Sequence, residues 1–206
     1  MIVVSFVLIF FSIVIHEYAH GLAALMLGDK TAYRSGRLTL NPLKHVDLFG
    51  TVLLPLFLYG LSRLAGGGVP VFGYAKPVPV NPWNSRFPRV FGGIVGFAGP
   101  FSNFCLAFAA TAILIHFPSL KGDFQGLLAL VIQVNLLLGI FNLVPIPPLD
   151  GSRILCAFLP ERVAELFDRL GMAGFVFVLL FLQTDFFRKI YAAGLKLFFA
   201  LVDRVF

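Results

Sequence analysis

The chain has 206 residues, of which 59% are hydrophobic, 25 are phenylalanine and only 13% are charged. This apolar content exceeds what a soluble core of that length can bury, which excludes a soluble globular class and predicts an integral membrane protein. The formal net charge of +6 is explained by Lys and Arg in the loops between spans, so we expect no nucleic-acid partner.

Six apolar stretches alternate with segments rich in Pro, Gly, Asn and charged residues. The stretches fall at about 1–27, 48–65, 90–117, 124–144, 163–183 and 186–206. They predict an all-α polytopic membrane protein, a bundle of about 4–6 transmembrane or re-entrant helices. The last stretch mixes basic residues with Phe and Leu at helical spacing, so it lies along the interface or crosses.

The first stretch carries the pentapeptide H-E-Y-A-H at 16–20. It lacks a basic start and a small-residue cleavage site, so we expect it to be retained as a helix. On a helix, His16 and His20 lie one turn apart on one face and can share a zinc ion, with Glu17 beside them as a base for water. The pattern therefore predicts a metal site at membrane depth.

Two connections are predicted to have structures of their own. The residues at 31–40 are rich in β-formers around Ser35-Gly36, which predicts a small membrane-associated β-hairpin. The stretch at 48–65 is short, contains Gly and Pro, and runs into Gly66-Gly67-Gly68. It either dips into the membrane and returns or crosses fully, and the dip is favoured.

The distribution of Lys and Arg bears on the topology. Basic residues concentrate in the connections at 28–47, 66–89 and 145–169, whereas the connection at 118–123 holds only Lys121. If 48–65 dips, the three basic connections share the cytoplasmic side and the N-terminus lies outside. We therefore expect a multi-pass cell-membrane protein with its site towards the cytoplasm.

A catalytic zinc usually has three protein ligands and keeps a fourth position for water. The chain has no Glu between 18 and 160, and Met26 stands where metzincins have a third His. Asp150 closes a proline-rich break after the fourth stretch, where a carboxylate is costly unless it is paired or binds metal. It is the favoured third ligand, with a helix-capping role as the alternative and His45 as a rival ligand.

At this point the chain resembles the site-2 protease family of intramembrane zinc metalloproteases, in its compact prokaryotic branch without PDZ or CBS domains. The motifs that carry the resemblance are HEYAH at 16–20, NPLKHVDLFGT at 41–51, FGYAKPVPVNP at 72–82, AGPFSN at 98–103 and NLVPIPPLDG at 142–151. The resemblance implies that His16, His20 and Asp150 bind one Zn²⁺ per chain and that Glu17 is the catalytic base. It also implies that Asn142 lies by the active site.

The expected function is an intramembrane endopeptidase that cleaves transmembrane or membrane-proximal segments of other proteins. The alternative is a metal-binding transporter or channel without peptidase activity. We expect one domain at 1–206, with a catalytic core at about 1–160 and C-terminal helices at about 161–206. Transmembrane proteins and the bilayer are the expected partners. Substrate selection rests on the membrane core, its loops or a regulatory membrane partner.

Four polar or proline-rich features have subsidiary interpretations. His45 is either a solvated loop residue or a residue that supports the site. Asn103 and Asn135 are expected to form hydrogen bonds between helices. The proline-rich segment at 76–82 is either a rigid connector or, like the predicted hairpin, an edge that holds an unwound substrate by strand addition.

Overall fold

The computed structural model describes residues 2–64, 66, 73 and 75–205. Over these residues the chain contains no β-strand and forms nine α-helices. In chain order they are α1 (Ile2–Met26), α2 (Thr31–Arg34), α3 (Leu54–Leu64), α4 (Pro88–His116), α5 (Asp123–Asn142), α6 (Asp150–Cys156), α7 (Glu161–Leu170), α8 (Gly174–Leu182) and α9 (Asp185–Val205).

Three of the described helices have the length and apolar composition needed to cross a bilayer. They are Val4–Met26 within α1, α4 and α5. The all-α membrane class is thus confirmed, but the expected four to six spanning or re-entrant helices are not supported. The stretch predicted at 163–183 is divided by a turn at Gly171–Ala173 into α7 and α8, each too short to cross.

The predicted β-hairpin at 31–40 is wrong. Asp29 accepts the backbone N–H of Thr31 at 3.0 Å, which closes a turn that starts α2 instead of a strand. Gly36 has a φ of 64°, and the N–H of Arg37 bonds back to the carbonyl of Ala32 at 3.0 Å. The Ser35-Gly36 pair therefore caps the end of a helix, where a left-handed glycine is favoured.

The stretch predicted to dip begins as one continuous helical element. A π-helical segment, Leu48–Leu53, leads directly into α3. Asp47 starts it by accepting the N–H of Gly50 at 2.7 Å. Gly67 and Gly68 lie outside the described residues, so the dip stays a prediction.

Helix α4 lies at the centre of the fold and packs against α1, α5 and α6. On one side a core of α4, α5 and α9 residues buries Ala107, Leu136 and Phe198. On the other, Val95 and Phe91 of α4 pack on Ala24 of α1. The division into a catalytic core and C-terminal helices stays a prediction.

Asp29 ties the end of α1 to the connection that precedes α4. Its side chain is fully buried and accepts hydrogen bonds from Thr31, from the Asn81 backbone N–H at 2.7 Å and from the Asn84 side-chain amide at 2.6 Å. Burial by itself raises the pKa of a carboxyl, but these donors favour the charged form and hold the pKa of Asp29 below its usual 3.8.

We expect Asp29→Asn to lower the free energy of unfolding at pH 7 by about 2 kcal/mol. The asparagine would place an N–H donor where neighbouring groups already donate, so at least one buried donor would lose its acceptor. The folded pKa of Asp29 lies below the unfolded one. Its stabilisation is therefore present above about pH 4 and is lost as pH falls through the folded pKa, so the two proteins converge in acid. Unfolding in detergent between pH 7 and pH 3 measures this difference.

The matched control is Asp203→Asn, since Asp203 is exposed near the end of α9. Its unfolding curve should follow that of the wild type at every pH. An Asp29→Asn protein as stable as the control at pH 7 would contradict the assigned role.

Candidate metal centre

Helices α1 and α6 bring three ligand atoms to one point. His16 and His20 lie one turn apart on α1, and Asp150 is the first residue of α6. The two Nε2 atoms are 3.0 Å apart, and Asp150 Oδ2 lies 3.1 Å from His16 Nε2 and 3.2 Å from His20 Nε2. All three residues are buried.

In each imidazole, the hydrogen bond made by Nδ1 determines which ring nitrogen carries the proton of the neutral ring. His20 Nδ1 is 2.6 Å from the carbonyl oxygen of Val95, which can only accept, so this Nδ1 carries a proton. His16 Nδ1 is 2.6 Å from Asn103 Oδ1, and Asn103 uses its amide nitrogen on Asn135. A neutral imidazole with a protonated Nδ1 presents a lone pair at Nε2.

When both histidines are neutral, two imidazole lone pairs and a carboxylate oxygen therefore point at each other inside the protein. Three acceptors at about 3 Å repel unless a cation lies among them. Ligands about 2.0–2.1 Å from a tetrahedral zinc lie about 3.3–3.4 Å apart, so the triangle needs to widen only slightly. The donor set and spacing fit one zinc ion. Among the His, Cys, Asp and Glu residues that the structure describes, His16, His20 and Asp150 bring three ligand atoms together in one group.

A chain of buried polar groups supports His16 from behind. Asn103 on α4 donates to Asn135 Oδ1 on α5 at 2.8 Å, and Asn135 donates to the hydroxyl of Ser12 on α1 at 2.9 Å. These are the interhelical hydrogen bonds expected from the sequence. Sequence reasoning missed the contact of Asn103 with His16, although the A-G-P-F-S-N motif at 98–103 marked the segment.

Two glycines allow the backbone to approach the centre. A Cβ at Gly99 would lie 2.5 Å from His20 Nε2 and 2.6 Å from His16 Cε1. A Cβ at Gly151 would overlap the carbonyl oxygen of Leu143, so the chain before α6 folds tightly over its first turn and places Asp150. Neither position can carry a side chain without displacing a ligand or the turn that holds it.

Glu17 lies next to His16 on α1, and its carboxylate reaches the connection before α4. Its Oε2 accepts the backbone N–H of Val78 at 2.9 Å. Val78 belongs to the proline-rich segment predicted as a connector or substrate edge, and that segment has no regular secondary structure between 75 and 80. Phe72 and Tyr74 of the same motif lie outside the described residues.

The hydrogen bonds of the two subsidiary site residues go to backbone carbonyls and not to the three ligand atoms. His45 is fully buried, not solvated, and its Nε2 donates to the carbonyl of Thr39 at 2.8 Å. Asn142 donates to the carbonyl of Leu138 in its own helix at 3.0 Å. A supporting role for either residue stays a prediction.

Comparison with known proteins bears on this geometry. The family model described as peptidase family M50 matches residues 118–182, a range that contains Asp150. YwhC of Bacillus subtilis is 40% identical over 179 residues, covering 82% of this chain and 76% of its own. Rip2 of Mycolicibacterium smegmatis is 30% identical over 188 residues, covering 87% and 68% respectively. Both carry names that describe zinc metalloproteases, and no solved structure matches the chain.

The chain belongs to peptidase family M50, the site-2 protease family. The predicted family is thereby confirmed, as are the zinc metalloprotease class and the zinc cofactor. The three long apolar helices agree with a membrane protein of this family. An M50 protease is favoured over the transporter that the sequence left open.

We expect Gly99→Ala to weaken zinc binding about 10–100-fold, because the added methyl group displaces both imidazoles and misplaced ligands cost metal affinity. The measurement is a competition titration with a chromophoric chelator. Gly92→Ala is the matched control on the same helix, since a Cβ at Gly92 meets nothing within 4 Å. Equal zinc affinity of the two variants would contradict this account.

Proposed function

We propose that the protein is an intramembrane zinc endopeptidase in which His16, His20 and Asp150 hold the metal and Glu17 is the general base. The observation that carries the proposal is the convergence of two imidazole nitrogens and one carboxylate oxygen at 3.0–3.2 Å, next to Glu17 on the same helix. A structural ion pair among the same atoms would need a proton in the place of the metal.

Zinc bound there supplies a Lewis acid for the peptide carbonyl and makes water nucleophilic near neutral pH. The chain's own residues do the rest. Glu17 takes a proton from the attacking water and passes it to the leaving amine. Asn103 and the Val95 carbonyl hold the two imidazoles in the ligating tautomer.

We propose transmembrane proteins as the substrates. The first support is the position of His16 and His20 within the apolar span Val4–Met26. The second is membership of a family of intramembrane proteases. A peptide segment must reach the centre from the bilayer or from its surface, so proteins with a transmembrane or membrane-proximal segment are the proposed class.

The proposed topology places the N-terminus outside and the metal centre towards the cytoplasm. The basic connections after α1 and before α4 support it through the positive-inside bias. In a variant without Cys105 and Cys156, a cysteine at Lys121 should react with an impermeant maleimide from outside the cell, and one at Arg86 should not. The opposite labelling pattern would overturn this orientation.

We expect Glu17→Gln to lower the rate of substrate cleavage by about 10²–10⁴-fold, the usual contribution of general acid–base catalysis. Zinc content should remain one ion per chain, because this substitution leaves the three ligands in place. Cleavage of a single-span reporter protein in proteoliposomes and metal analysis of the same sample measure the two quantities.

The matched control is Glu165→Gln, which makes the same change at an exposed glutamate of α7. It should retain both zinc and cleavage. A Glu17→Gln protein that still cleaves like the control would refute Glu17 as the base, and wild type that cleaves equally after zinc removal would refute the proposed function.

A further inference from the structure

A short segment without regular secondary structure contacts the carboxylate of Glu17, and we call residues 75–80 the strap. Its first half is fixed from two directions. The N–H of Lys76 donates to the carbonyl of His45 at 2.9 Å. Arg37 Nη2 donates to the carbonyls of Lys76 at 2.8 Å and of Pro77 at 3.3 Å.

The far end of the strap is fixed as firmly. Asn81, the next residue, donates its N–H to the buried Asp29 at 2.7 Å. Val80 packs against the Ala24–Val95 contact of α1 and α4. The strap is thus held at both ends by groups that lie outside the metal centre.

The middle of the strap contacts the proposed base. The N–H of Val78 donates to Glu17 Oε2 at 2.9 Å, and Val78 is only 6% exposed. Pro77 and Pro79 have no N–H. Between Pro77 and Pro79, the backbone N–H of Val78 is therefore the donor available to the Glu17 carboxylate.

We propose that the main-chain N–H of Val78 is a positioning group for Glu17, an inference that rests on the proposed function. A glutamate side chain has three rotatable bonds, and a free carboxylate samples many orientations. Holding Oε2 on a fixed donor limits those orientations and leaves Oε1 for the water proton. A displacement of about 1 Å in such a group can cost about 10²-fold in rate.

The contacts separate this role from a substrate-binding edge. Strand addition requires free backbone donors and acceptors along one edge. The N–H groups of Lys76 and Val78 are already bonded within the chain, those of Pro77 and Pro79 do not exist, and Arg37 occupies two carbonyls. These contacts favour a role of the strap on Glu17 over strand addition between 76 and 79.

Amide hydrogen exchange tests the contact without any reference to activity. The flanking prolines leave Val78 as the exchangeable amide of the Pro77–Pro79 run, so its exchange can be isolated by mass spectrometry of the zinc-loaded full chain in nanodiscs. We expect exchange of this amide to be at least about tenfold faster in Glu17→Ala than in wild type. In Glu17→Gln it should stay slow, because the Gln carbonyl still accepts.

The Lys76 amide is the internal control, since it bonds to His45 and not to Glu17. Its exchange should be the same in all three proteins. Equal Val78 exchange in wild type and Glu17→Ala would overturn the positioning contact.

Kinetics test the consequence. Val78→Pro removes the N–H, whereas Val78→Ala keeps it and shortens the side chain. We expect kcat of Val78→Pro to lie about 10–100-fold below that of Val78→Ala, with KM within about twofold and one zinc per chain in both. An equal kcat, or a loss confined to KM, would overturn the proposal.

The two levels of inference fail differently. Wild type that cleaves no membrane substrate in a zinc-dependent way removes the proposed function, and the positioning role with it. Zinc-dependent cleavage together with Val78 exchange that ignores Glu17→Ala removes the positioning role alone. If Val78→Pro does not fold, the exchange comparison still decides.

Discussion

The convergence of two imidazole nitrogens and one carboxylate oxygen at one buried point governs the architecture of this protein. With both histidines neutral and Asp150 ionised, these three atoms repel at about 3 Å in a low-dielectric interior unless a cation lies among them. The contact joins α1 to the start of α6, two elements that are 134 residues apart at His16 and Asp150. The candidate metal centre therefore links two distant parts of the chain.

Helix α4 makes that contact possible. Gly99 lets its backbone lie directly against both imidazoles, and four residues earlier Val95 supplies the carbonyl that orients His20. Four residues after Gly99, Asn103 orients His16. One face of α4 therefore sets the tautomer of both histidines, which is how supporting groups usually tune a metal ligand.

The polar groups of the centre continue away from the metal as hydrogen bonds between helices. Asn103, Asn135 and Ser12 link α4, α5 and α1, and Ser12 ends the series on the carbonyl of Leu8 at 3.0 Å. In an apolar surrounding such groups are costly unless each finds a partner. Beyond the C-terminal end of α1, Asp29 accepts a hydrogen bond from Asn81, the residue that follows the strap. The strap in turn contacts Glu17, so the residue next to His16 is restrained as well.

Composition predicts the membrane protein, the spacing of His16 and His20 predicts the histidine pair, and the cost of a carboxylate beside an apolar stretch singles out Asp150. These features follow from residue types and local spacing. The β-hairpin failed because a buried carboxylate at Asp29 and a left-handed Gly36 outweighed the β propensity of the 31–40 segment. The predicted helix count was wrong because hydropathy does not detect the turn at Gly171.

The long-range contacts became visible only in the folded chain, where Asn103 and Val95 orient the histidines and Val78 contacts Glu17. Those contacts join residues 61–87 positions apart in the chain, and their energies depend on how α1 and α4 pack, which local sequence patterns do not encode.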